Sequence, residues 1–168
     1  MLTSINAAYA AHQKAIAMPD AIPNASPIQI LFAEDSEHLR EYMSQQLRAC
    51  GYAVIGVPSG DDALTVLLGG AASDLLLTDI NMPGSLNGWA LARQCRDLRP
   101  GLLVIYASSE RAVREEQVPN SCFLPKPYQF PALLALVQQV VTDQWSTRPS
   151  AAAEVAEVRQ VPVAPSSG

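Results

Sequence analysis

Basic residues are scarce in this chain: 11 Lys and Arg stand against 16 Asp and Glu in 168 residues, a net charge of -5. Binding to a phosphate backbone needs Lys and Arg clustered on one surface, so the shortage excludes nucleic acid as a main partner. Cysteine is scarcer still. Cys50, Cys95 and Cys122 are odd in number and widely spaced, with no CxxC pair and no histidine close by to complete a metal site. They read as reduced, small core residues. No run of about 18 apolar residues occurs, and no basic leader precedes an apolar stretch and a cleavage site, which excludes a membrane span and an export signal. The expectation is a cytoplasmic protein. There is also no internal repeat.

What the chain does contain is apolar substance. The hydrophobic fraction is 49% while charged residues make up 16%, below the usual value of about 25%. A length of 168 residues suits one domain with tails, since domains cluster at roughly 100 to 150 residues.

Apolar runs of strand length alternate with helical stripes. Ile28 to Ala33 reads as a first strand ending at Glu34 and Asp35, followed by a helix with Leu39, Met43, Leu47 and Cys50 on one face and Gly51 as its left-handed cap. Tyr52 to Val57 gives a second strand, and Ser59 with Asp62 opens a helix that ends at Gly69-Gly70. Leu75-Leu76-Leu77-Thr78 is a third strand, apolar on both faces, with Asp79 at its tip before Asn81, Pro83 and Gly84. A helix over Trp89 to Leu98, a strand over Leu102 to Ala107, a brief strand over Cys122 to Leu124 and an apolar helix from about Phe130 to Trp145 complete the pattern. Whether Trp89 faces the core is open in the sequence. The Leu133, Leu134, Leu136 and Val137 cluster reads as core packing, and His12 and His38 as surface residues. Alternation at this spacing implies right-handed crossovers and an α/β, doubly wound, five-stranded parallel sheet with helices on both faces. Residues 27–145 form this domain. Before them Ile5, Tyr9, His12 and Ile16 lie near helical spacing until Pro19, Pro23 and Pro27 break it, so residues 1–26 read as an extension with a short helix and linker. Residues 146–168, rich in Ala, Val, Pro and Ser, read as a flexible tail.

Four strand ends carry polar groups to one side of the sheet, where parallel sheets place their sites: Glu34 and Asp35, Asp79, Ser108, and Lys126. Three carboxylates in a small crevice repel one another unless a cation neutralises them. All-oxygen donors, a backbone carbonyl and water suit Mg2+, which then recruits a phosphate oxygen. With Lys126 for charge and Ser108 as a hydroxyl donor, the set describes a phosphoryl-transfer pocket.

These residues, with the Thr-Asp-Ile-Asn-Met-Pro-Gly of residues 78 to 84 and Lys126-Pro127, in that order and on those strand ends, resemble a response-regulator receiver domain. The resemblance implies a CheY-like, flavodoxin-like fold with strand order 2-1-3-4-5. It implies that Asp79 is the phosphoacceptor, that Glu34, Asp35, Asp79 and the backbone carbonyl of Asn81 form the Mg2+ site, that Ser108 and Lys126 contact the phosphoryl group, and that the Lys126-Pro127 peptide is cis. Asp79 would take its phosphoryl group from a sensor histidine kinase or a histidine phosphotransfer protein. Ser108 would then reorient and open room for the aromatic at Phe123, a switch that works by packing alone because Phe has no hydroxyl. Asn81 and Glu110, two positions beyond Asp79 and Ser108, would tune hydrolysis of the acyl phosphate and keep the signal short-lived. The stretch from Arg111 to Asn120 looks short for a full helix, with Pro119 limiting it. The expectation is a stand-alone receiver, a phosphoacceptor rather than an enzyme, acting as a monomer or phosphorylation-dependent dimer on a downstream protein.

Each residue taken singly has a plainer role. Glu34-Asp35 would complement a helix dipole, Asp79 would terminate a strand, Ser108-Ser109 would cap a helix and Lys126 would be a solvated loop lysine. Their ordered combination carries the reading. Two other classes compete with it: a phosphorylation-independent adaptor on the same fold, against which the intact acidic group argues, and a haloacid-dehalogenase-type phosphatase. The latter requires a second Asp two residues after the first, where this chain has Asn81.

Overall fold

A computed structural model describes residues 26–109 and 116–147, with side chains to residue 143. The expected helix between Ile5 and Ile16, the stretch from Arg111 to residue 115, Glu110 and the tail beyond residue 147 lie outside the described residues.

Five short strands alternate with helices: β1 Gln29–Ala33, α1 Glu37–Ala49, β2 Ala53–Val57, α2 Gly60–Leu68, β3 Leu75–Asp79, α3 Gly88–Leu98, β4 Leu103–Ser108, β5 Cys122–Pro125 and α4 Phe130–Thr147. Every pairing is parallel, in the order β2-β1-β3-β4-β5. This is the expected doubly wound α/β sheet. α4 continues to Thr147, two residues into the stretch expected as tail.

Side-chain alternation along each strand splits the core into two layers. Ile30 and Phe32 of β1, Leu75 and Leu77 of β3, and Ile105 of β4 pack with Met43 and Leu47 of α1 and Leu133, Leu134 and Val137 of α4. Leu31, Leu76, Val104 and Tyr106 point the other way, onto Ala63 and Leu67 of α2 and Trp89, Leu91 and Cys95 of α3. Leu75, Leu76 and Leu77 are fully buried, each stabilising the fold by about 1.5–3 kcal/mol. β3 is therefore held on both faces, and its tip has little freedom to move.

Local signals set the element ends. Gly51 has φ +91 and closes α1. At α2 the Ser59 hydroxyl accepts the amide of Asp62 at 3.1 Å, as a capping residue should, but the Asp62 carboxylate accepts the Ser59 hydroxyl at 2.5 Å rather than reaching back to the backbone. Asn87 caps α3 by accepting the Ala90 amide at 2.9 Å. Trp89, left open by the sequence, is buried against Tyr106 with ring centroids 4.4 Å apart.

Candidate phosphoryl-transfer site

The strand parity that builds the core also builds the site. Glu34 continues the face of Ile30 and Phe32, Asp79 that of Leu75 and Leu77, and Lys126 that of Cys122 and Leu124, so all three emerge on the α1 and α4 side of the sheet. Phe123 has the opposite parity and packs on the layer of Tyr106 and Trp89.

Lys126 joins the acidic groups. Its Nζ donates to Asp79 Oδ2 at 2.6 Å and to Glu34 Oε2 at 2.8 Å. Asp79 Oδ1 accepts the amides of Ile80 at 2.6 Å and Asn81 at 3.2 Å. One carboxylate oxygen thus faces the backbone and the other faces the ammonium. Glu34 is 1% exposed and Asp79 8%, whereas Asp35 is exposed; one oxygen from each of the three lies within 4.8 Å of the others. Ser108 is buried at the end of β4, and its carbonyl accepts the Lys126 amide at 2.7 Å, which extends the β4–β5 ladder to the lysine. The Lys126-Pro127 peptide is cis.

The electrostatics follow from this packing. Burial pushes the Glu34 carboxyl above its ordinary range, and the bond to Lys126 only partly offsets that. Burial acts to lower the Lys126 pKa, but its hydrogen bonds to Asp79 and Glu34 and their charges outweigh it and hold the ammonium above its ordinary value. The Tyr128 hydroxyl is buried, lacks a hydrogen-bond partner among the described residues, and is raised first by burial and then by the charges of Glu34 and Asp79. Three carboxylates against one ammonium leave the crevice with excess negative charge when all are ionised, and every candidate metal donor is an oxygen. That donor set fits a hard divalent cation such as Mg2+.

Supporting residues hold the frame. Arg40 Nη1 donates to the carbonyl of Glu34 at 2.6 Å and of Asp35 at 3.4 Å, tying the β1–α1 turn to α1. Gly88 approaches Asp79 so closely that a Cβ there would strike the Asp79 carbonyl. Neither role has a signature in the pattern, because each depends on an approach between segments that only folding brings together. Asn81 is exposed at the mouth of the crevice.

Known proteins resemble this chain in sequence and fold. The family model of the response regulator receiver domain matches residues 30–138. Response regulator protein FleR of Pseudomonas aeruginosa is 36% identical over 113 residues, covering 65% of this chain and 24% of that protein. The transcriptional regulatory protein CusR of Escherichia coli is 28% identical over 118 residues, covering 68% of this chain and 51% of that protein. The chain therefore spans about a quarter to a half of the length of these curated relatives. Among solved structures, a response regulator receiver protein from Sinorhizobium medicae superimposes with a TM-score of 0.67 at 32% identity, covering 70% of this chain and 97% of that one. The chemotaxis response regulator CheY4 of Vibrio cholerae gives 0.62 at 25% identity, covering 68% and 98%. With the family match reaching all five strands and the acidic crevice at their ends, the chain belongs to the response regulator receiver domain family of two-component systems, a family of signalling domains.

Proposed function

We propose that Asp79 accepts a phosphoryl group from a histidine kinase or histidine phosphotransfer protein and that the chain signals through protein contacts. The observation that carries this is the Lys126 ammonium bridging Asp79 and Glu34, with Asp35 alongside. An Asp79 carboxylate oxygen attacks phosphorus in line; the new O–P bond forms as the N–P bond of the phosphohistidine breaks, and the imidazole leaves with the electron pair. Glu34, Asp35, Asp79 and the Asn81 carbonyl would hold Mg2+, which would supply charge neutralisation and a coordination position for a phosphoryl oxygen. Lys126 balances the added charge and Ser108 donates its hydroxyl. Phe123, packed with Tyr106, responds to a reorientation of Ser108 by repacking.

Decay belongs to the same proposal. Asn81 at the crevice mouth, with Glu110, orients the water that hydrolyses the acyl phosphate, so the signal is short-lived and self-terminating. The site serves a cytoplasmic signalling role, consistent with the lack of any described helix long and apolar enough to cross a membrane. One curated relative, NtrC of Salmonella typhimurium, is named a DNA-binding transcriptional regulator, and this chain covers 24% of it. For this chain the low count of Lys and Arg favours a protein as the direct target.

Incubation with Mg2+ and acetyl phosphate, followed by intact mass, tests the reading. One added phosphoryl group in the parent and none in Asp79→Asn is the expected result. A folded, Mg2+-binding parent that gains no mass favours the adaptor, and turnover of phosphate esters favours the phosphatase. A phosphoprotein stable for many hours would contradict the short lifetime.

A further inference from the structure

Asn81 opens a loop, residues 81–87, that follows the buried Ile80. Asn81, Pro83, Gly84, Ser85 and Asn87 are exposed, and the Gly88 amide closes the base by donating to the Ile80 carbonyl at 2.9 Å. The far end is tied across 24 residues to the start of α2. The Asp61 carboxylate accepts the Ser85 amide at 2.8 Å, the Ser85 hydroxyl and the Leu86 amide at 3.4 Å. Gly84 permits the approach, since it has φ +115 and any Cβ there would run into the Asp61 carboxylate. Gly60 lies nearly as close to Leu86, so the contact between the two segments extends to the residue before Asp61. The adjacent Asp62 is spent differently, on capping α2 with Ser59. The bonds from Ser85 also hold the Asp61 carboxyl below its usual range, as expected for acceptance by the charged form.

We infer that Asp61 is a positioning residue for the metal site: its clamp on Ser85 and Leu86 sets the loop whose first residue, Asn81, offers the backbone carbonyl to Mg2+. The inference rests on the proposed Mg2+ and phosphoacceptor reading. Residues outside the ligand set that orient the ligands govern metal affinity strongly, typically by about 10–100-fold, and a clamp acting through a short loop belongs at the lower end of that range.

Mg2+ affinity by calorimetry, and the acetyl phosphate reaction rate at saturating Mg2+, separate this role from general stability. Asp61→Ala is expected to weaken Mg2+ by about tenfold while leaving the saturated rate within about twofold of the parent. Ser85→Ala keeps the Asp61 charge and is expected to weaken Mg2+ by about two- to threefold; it also decides the matter if Asp61→Ala does not fold. Asp62→Ala removes a charge next door and is expected to bind Mg2+ as the parent does. Parent-like affinity in Asp61→Ala, or an equal loss in Asp62→Ala, overturns the assignment. A parent that binds no Mg2+ fails the functional reading itself, a result distinct from a parent that binds and a variant that binds equally well.

Discussion

Lys126 Nζ lies 2.6 Å from Asp79 Oδ2 and spans to Glu34 at 2.8 Å, so one ammonium holds together two carboxylates that come from different strands. Without it, two largely buried negative charges would face each other.

Lys126→Met is therefore expected to destabilise the Mg2+-free protein. Removing one partner of a fully buried pair costs about 3–5 kcal/mol; the Lys126 side chain is 19% exposed, which reduces the expected loss to about 2 kcal/mol. Added Mg2+ should recover much of that. The sign with pH follows from the raised Lys126 pKa: the pairing contributes fully below the ordinary lysine value of about 10.4 and is lost as pH rises through the higher folded value. Urea unfolding of parent and variant should thus show a constant gap from the pH at which both carboxylates are ionised up to about pH 10, narrowing above it. A gap unchanged in strong alkali would contradict the assignment.

Gly88→Ala places a Cβ against the Asp79 carbonyl and only 2.8 Å from the Ile80 Cα, both backbone atoms that cannot swing away. Overpacking of this kind costs about 1–3 kcal/mol. The matched control is Gly101→Ala, where a Cβ meets nothing within 4 Å and the expected effect is neutral or slightly stabilising. Equal stabilities of the two variants in denaturant titration would show that β3 and the start of α3 are not in close contact.

The buried Tyr106 hydroxyl accepts the amide of Val118 at 3.3 Å. Tyr106→Phe keeps the ring against Trp89 but leaves that buried amide without its acceptor. A loss of about 1–2 kcal/mol is expected in thermal or urea unfolding, and parent-like stability would mean the amide finds another partner.

Cys95 is fully buried, and burial raises its thiol to about 11. At pH 8 only about a thousandth of it is thiolate, and that fraction is shielded from solvent. Iodoacetamide should modify the half-buried Cys50 and Cys122 first in the native protein and reach Cys95 only in denaturant, as counted by intact mass. Labelling of Cys95 as fast as Cys122 would require an opening of the α3 layer.

Much of this was legible in the chain. A run of leucines ended by Asp79 identifies a strand buried on both faces, because period-2 alternation would leave one polar face. Gly51 and Ser59 mark helix ends through properties local to a few residues. The acidic pair with Asp79 and Lys126 could be assembled because parallel strands deliver their carboxyl ends to one side. Trp89 was not decidable in this way. Either face of α3 could accept it, and only the opposing Tyr106 settles the question.

The sequence by itself determined which strand ends hold charge and that those ends share an edge, since both follow from local pattern and from the handedness of crossovers. Tertiary structure decided who bonds to whom. That Lys126 serves both Asp79 and Glu34, that Arg40 ties down the first turn, and that Asp61 reaches Ser85 are matters of ångström-scale approach between segments 6 to 92 residues apart. Such distances depend on the packing of the whole sheet, and no local pattern encodes them.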